Sequence, residues 1–258
     1  MSDLTELTVS DHGAIALVTI ARPEKHNAMT ARFWPELRGV LADLEHDGST
    51  RAVVITGAGE KAFSAGGDIA GFGELDGVAA RRAFQVECMR TFAAVEESPL
   101  PVVAAVNGYA FGGGCELALA CDLVLAADRA VFGMPESSIG LVPGFGVLRG
   151  PAVLGRQWTK WMVLAGERLD AEQAVRLGLA QKVVPADELV DTALALGARI
   201  AEAAPLAVRV GKELINRGVD RGESSHATEA VTMLQGTADT AEGIRAFVEK
   251  RRPRFEGR

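Results

Sequence analysis

The stretch that most limits what this chain can become is Asn107-Gly108-Tyr109-Ala110-Phe111-Gly112-Gly113-Gly114-Cys115-Glu116. It follows an apolar run at residues 101–106 and leads into Leu117-Ala118-Leu119-Ala120, an order that predicts a strand, a glycine turn and a helix. Glycines at such a junction accept positive φ and let a ligand approach main-chain N–H groups with no Cβ in the way. A helix starting near Gly113 aims free N–H groups and the positive end of its dipole at whatever lies above the turn. In outline this is an anion site.

Three readings fit the stretch alone. The turn could simply pack a helix against a strand. It could hold a dinucleotide, since Gly108-x-x-x-Gly112-Gly113-Gly114 loosely echoes a phosphate turn, although such turns follow the first strand of a domain and bring an acidic residue about 20 positions later. Tyr109 is the only tyrosine and no lysine stands four residues after it, so a Tyr-x-x-x-Lys dehydrogenase pair is absent. The third reading is an oxyanion site with an acid or base attached, because Glu116 falls in the first turn of the expected helix.

The surrounding pattern is α/β. Residues 14–20, after the turn signal Asp11-His12-Gly13, read as a strand paired with residues 7–10. Thr30 is the expected N-cap of a helix carrying Phe33, Leu37, Val40, Leu41 and Leu44. A buried strand at 51–56 precedes a second glycine turn, Ala65-Gly66-Gly67-Asp68-Ile69, and an amphipathic helix at 76–97. Two turns that each follow a strand can place two main-chain N–H groups at one point. Strands are expected at 121–126 and 131–133, and Pro135 argues that Glu136 begins a loop or helix outside the sheet. Helical spacing then dominates, with segments at 144–154, 156–165 and 171–177, a short strand at 182–184, and four helices at 187–203, 206–216, 223–234 and 240–251. Repeated strand-strand-helix units ahead of a helical tail predict one α/β core with a helical appendage.

At 258 residues the chain can bury a full core without a disulfide or metal staple. Its net charge of -7 excludes a general phosphate-binding surface for nucleic acid but not a small anion held by a few local cations. The acidic start, Met1-Ser2-Asp3-Leu4-Thr5-Glu6, has no secretory zones, and no apolar run approaches the length of about 18 residues that spans a membrane. Cys88, Cys115 and Cys121 show no CxxC spacing, which suits a reducing compartment; the cytoplasm is expected. Cys115 reads as a small packing residue of the helix, and His12, His26, His46 and His226 show no ligand spacing, so no metal is expected.

With both glycine turns placed, the chain resembles the enoyl-CoA hydratase/isomerase superfamily, the crotonases, and most of all an enoyl-CoA hydratase. Ala65-Gly66-Gly67-Asp68-Ile69 is similar to the family's first oxyanion turn and residues 104–116 to its second. The similarity continues through Phe132-Gly133-Met134-Pro135-Glu136, Gly140-Leu141-Val142-Pro143-Gly144 and the closing Glu242-Gly243-x-x-Ala246-Phe247-Val248-Glu249-Lys250-Arg251. The resemblance implies a spiral of ββα units at residues 1–196. It also implies a C-terminal helical region at 197–258 that packs on neighbouring subunits in a homotrimer or a dimer of trimers.

The implied ligand is an acyl thioester of coenzyme A, its thioester oxygen held by the N–H groups of Gly67 and Gly113, with coenzyme A part of the substrate and no separate cofactor. Hydratases of the family resemble this chain in carrying Glu at both the Glu116 and Glu136 positions, whereas many double-bond isomerases keep only the later one. By that analogy Glu136 would give the α-proton and Glu116 would activate water, although a coupled pair need not divide so cleanly. Lys25, the backbone of Ala65, Asp68, Ile69 and Ala70, and Phe247 with Lys250 would lie along the nucleotide. Val147-Leu148-Arg149-Gly150-Pro151, Ala70, Ser137 and Ser138 depart from the common hydratase pattern, which leaves the acyl group open: branched, cyclic and hydroxylated chains all remain. An isomerase, and a binding protein that keeps the fold without turnover, are the alternatives.

Overall fold

The computed structural model describes residues 6–72, 76–217 and 237–258. β1 (Leu7–His12) and β2 (Ile15–Ile20) form the opening hairpin, with His12 opposite Ile15. β3 (Ala52–Gly57), β5 (Val102–Val106), β7 (Leu123–Ala127) and β10 (Lys182–Val184) join β2 in parallel, giving a six-stranded sheet of order β1-β2-β3-β5-β7-β10. β3 and β5 are buried along their whole length, which is why both are mostly apolar and do not alternate, Thr56 of β3 being the one polar side chain between them.

A second sheet alternates with the first. β4 (Ala62–Ser64), β6 (Tyr109–Phe111) and β8 (Val131–Gly133) run parallel, and β9 (Arg168–Asp170) closes the edge antiparallel to β8. The chain therefore lays one strand in the large sheet, the next in the small sheet, and then a helix. After β3 and β4 come α2 (Ile69–Phe72) and α3 (Gly77–Glu97); after β5 and β6 comes α4 (Gly113–Ala120). This is the expected spiral of ββα units.

The first helix, α1 (Phe33–Asp47), starts later than the Thr30 signal implies. The Thr30 hydroxyl donates to Glu6, whose other carboxylate oxygen accepts the Thr30 N–H at 3.1 Å, so Thr30 is held by the residue just before β1. Its oxygen still accepts the Arg32 N–H at 3.1 Å, but helical geometry begins at Phe33 without a side-chain cap. Similarly, the strand expected from Cys121 begins at Leu123, because Cys121 N–H still bonds to the end of α4.

Beyond β8 lie α5 (Gly146–Val153), α6 (Arg156–Leu164), α7 (Ala171–Arg176), α8 (Leu189–Ala201), α9 (Pro205–Arg217) and α10 (Ala238–Glu249). Residue 196 lies inside α8, which packs on the large sheet, Gly197 against Ile15. Lys212 of α9, its side chain 8% exposed, pairs with Asp122 at 2.7 Å and also donates to the carbonyls of Val95 and Leu100. The C-terminal segment folds back onto α10, where Asp239 accepts the Glu256 and Gly257 N–H groups at 2.6 and 2.9 Å. The helix expected at 223–234 lies outside the described residues. Among those described, no helix is long and apolar enough to cross a membrane.

Candidate active site

β4 and β6 are neighbours in the small sheet, so the turns that follow them leave from the same end. Gly66 sits at φ 94° and Gly112 at φ 52°, conformations that residues with a Cβ rarely adopt. A Cβ placed on Gly66 would be 3.2 Å from the Gly113 nitrogen, and one on Gly113 would be 3.7 Å from the Gly67 nitrogen. The two nitrogens thus border one small space. Met29 N–H donates to Gly66 O and Asp68 N–H to Met29 O, both at 2.8 Å. This leaves the intervening Gly67 N–H without an acceptor among the described residues. Gly113 is the first residue of α4, so the helix leaves its N–H unpaired as well.

Two carboxyl groups stand beside these donors. Glu116, in the first turn of α4, is 6% exposed, and its Oε1 accepts the N–H groups of Phe145 and Gly146 at 2.8 Å each. Those two N–H groups open α5, so the carboxylate also meets the positive end of that helix. Burial pushes the Glu116 pKa up, and the Gly146 and Phe145 hydrogen bonds pull against it. Glu136 opens a one-turn 3₁₀ segment (Glu136–Ile139) directly after Pro135. Burial, more than the nearby Glu116 charge, raises its pKa to about 7, with its own N–H opposing. Its Oε2 is buried and has no hydrogen-bond partner among the described residues, whereas Glu116 is held by two N–H groups. The arrangement separates the pair: Glu116 has donors for its charged form, and Glu136 holds a proton near neutral pH.

Glu116, Glu136, Gly67 and Gly113 all line one cavity of ≈ 180 Å³. Apolar side chains supply much of the remaining wall, which also includes Gln85 and Ser138. Trp34 of α1 and Phe84, Cys88 and Phe92 of α3 form one side, with Trp34 edge-on to Phe92 at 5.3 Å between ring centres. Leu141 and Val142 also line the cavity. Sequence reasoning missed the α3 wall. Its signal was available, since residues 84, 88 and 92 share a face of the helix expected at 76–97.

Of the residues expected along the nucleotide, Ala65 and Ile69 line the cavity. Asp68 is engaged otherwise: its carboxylate pairs with Arg22 at 3.2 Å, and Arg22 also donates to Ala28 O at 2.6 Å. This ties the first glycine turn to the loop before α1. Lys25 is exposed at the end of a 3₁₀ turn, and Lys250 is exposed just past α10 at φ 54°. Neither lysine lines the cavity. The side chains of Ala70 and Phe247 lie outside the described part of the chain. Among the described residues no three His, Cys, Asp or Glu groups gather as a metal site.

Residues 10–258 match the family model described as Enoyl-CoA hydratase/isomerase. The chain is 37% identical over 254 residues to the short-chain-enoyl-CoA hydratase of Clostridium acetobutylicum, covering 97% of each protein. It is 37% identical over 246 residues to the crotonyl-CoA hydratase of Syntrophomonas wolfei, covering 93% of this chain and 94% of the relative. The crystal structure of an enoyl-CoA hydratase from Bacillus anthracis superposes with a TM-score of 0.91 at 34% identity, over 98% of this chain and 100% of that one.

Proposed function

This chain belongs to the enoyl-CoA hydratase/isomerase family and is an enoyl-CoA hydratase; we propose that it adds water across the α,β double bond of an enoyl-CoA through Glu116 and Glu136. The observation that carries this reading is the pairing of two unlike carboxyl groups in one cavity with two unpaired N–H donors.

The thioester oxygen sits between the N–H groups of Gly67 and Gly113. As water attacks Cβ, electrons move onto that oxygen, and donors already in place stabilise the charge without having to reorganise. Glu116, ionised and oriented by Phe145 and Gly146, takes a proton from the attacking water. Glu136, protonated near neutral pH, gives its proton to Cα. One oxygen–carbon bond and one hydrogen–carbon bond form, and the 3-hydroxyacyl-CoA leaves after the two carboxyl groups exchange protons with solvent. The steps need neither metal nor redox cofactor, and coenzyme A is part of the substrate.

The nucleotide half of the substrate crosses the turn at Ala65, Asp68, Ile69 and Ala70. Lys25, Phe247 and Lys250 lie along it, the lysines as charged partners of phosphate. The protein works as a trimer or a dimer of trimers, a reading supported by the exposed apolar side chains Leu148, Trp158, Trp161 and Leu164 of α5 and α6. Three free cysteines support a cytoplasmic setting. Oxygen-labelled water tests the reaction: label in the 3-hydroxyacyl product is expected, whereas double-bond migration with no label would make the protein an isomerase.

A further inference from the structure

We propose that Ser64 is a positioning residue whose hydroxyl sets the aim of the Gly67 N–H group, one of the two thioester-binding donors. The inference rests on the oxyanion reading above and adds the part that holds its geometry. Ser64 is the last residue of β4 and fully buried. Its hydroxyl donates to Asn27 O at 2.8 Å and accepts the Gly66 N–H at 3.1 Å. The same residue also touches the other turn. A Cβ on Gly114 would stand 2.4 Å from Ser64 O and 2.9 Å from Ser64 Cβ, so the first turn of α4 is pressed against Ser64. One side chain therefore braces the residue before Gly67, and one backbone braces the residue after Gly113.

The brace has a firm anchor. Asn27 is fully buried in a left-handed conformation at φ 56°, and its side-chain amide donates to Ala58 O at 3.0 Å and Ala62 O at 2.7 Å. Its Oδ1 accepts the Arg22 N–H at 3.0 Å. Asn27 O is thus a fixed point, and the Ser64 hydroxyl transmits that position to Gly66. Removing the hydroxyl leaves the buried Gly66 N–H and Asn27 O unpaired, which the turn can relieve only by shifting. A shift there carries Gly67 with it. Substrate binding through coenzyme A and the acyl wall is untouched, so the effect falls on turnover.

The test compares wild type, Ser64→Ala and Ser64→Cys, the last keeping the volume and a weak hydrogen-bonding group. Two quantities are read: steady-state hydration of crotonyl-CoA, and the infrared frequency of the carbonyl in bound butanoyl-CoA, isotope-labelled at the thioester carbon. For Ser64→Ala, kcat is expected to fall about 10- to 100-fold, less than or at the edge of the loss from deleting an oxyanion donor. KM should change less than about threefold, and the bound carbonyl should return part of the way to its frequency in water. Ser64→Cys should fall between the two, and it carries the test by itself if the alanine variant does not fold. Wild-type kcat and an unmoved carbonyl band in both variants would overturn the role of Ser64 while leaving the oxyanion site standing. A wild-type protein that neither hydrates nor shifts the carbonyl would overturn the oxyanion reading and this inference with it.

Discussion

Glu136 Oε1 lies 2.9 Å from the point where a Cβ on Gly112 would stand, so the carboxyl group occupies space that only glycine leaves open. Gly112 also has φ 52° and ψ -124°, a combination closed to other residues. Gly112→Ala should therefore cost about 1–3 kcal/mol of stability from backbone strain alone. It should cost more in activity, at least about 100-fold, because Glu136 must move from its place beside the cavity. Denaturant unfolding and steady-state rates on the same preparation separate the two effects.

Glu136→Gln keeps the shape of the side chain and removes the transferable proton. Turnover should drop at least about 100-fold, the scale of one positioned acid or base. Acyl-CoA affinity, measured by calorimetry with an unreactive saturated thioester, should stay within a few-fold of wild type. Near-wild-type hydration by this variant would remove Glu136 from the mechanism.

The raised pKa of Glu136 makes two statements about pH. As the proposed acid, it must be protonated, so kcat/KM should fall as pH rises through about 7, and this limb should be missing from the small activity left in Glu136→Gln. For stability the sign is also fixed. The folded protein holds this proton up to about pH 7, whereas the unfolded chain releases it near the ordinary value of 4.5. The folded state binds more protons between those values, so the stability of the protein falls as pH rises through the window. Glu136→Gln, which has no proton to lose, should match wild type below pH 4.5 and become the more stable of the two by pH 8.

Much of the site was legible because its geometry depends on glycines adjacent in sequence. Gly66-Gly67 and Gly112-Gly113-Gly114 each follow an apolar run, and Glu116 is fixed to the second turn by helical spacing. The support was harder to read. Phe84, Cys88 and Phe92 look like any amphipathic face until the turn of α4 is placed against them. Arg22 and Asp68 are 46 positions apart, so their pairing depends on the fold and not on spacing. Thr30 carried a helix-capping signal that a distant carboxylate, Glu6, captured instead.

Lys25 and Lys250 are exposed, and their expected part is to meet the phosphates of coenzyme A. If they do, Lys25→Ala and Lys250→Ala should each raise KM about two- to fivefold, the range of a solvent-screened ion pair, and leave kcat unchanged. The KM of wild type should rise with salt, and that of the double variant should rise less. Equal salt dependence in both proteins would leave the lysines without a phosphate contact.

Glu116 and Glu136 are proposed to hydrate an enoyl thioester held by Gly67 and Gly113. The most direct measurement follows the enone absorbance of crotonyl-CoA after adding the purified protein, with Glu116→Gln alongside. Rapid loss of absorbance with wild type and none with Glu116→Gln is the expected result. Unchanged absorbance with wild type, while the thioester is demonstrably bound, would contradict hydration of this acyl group. Equal loss with both proteins would show that Glu116 is not the base.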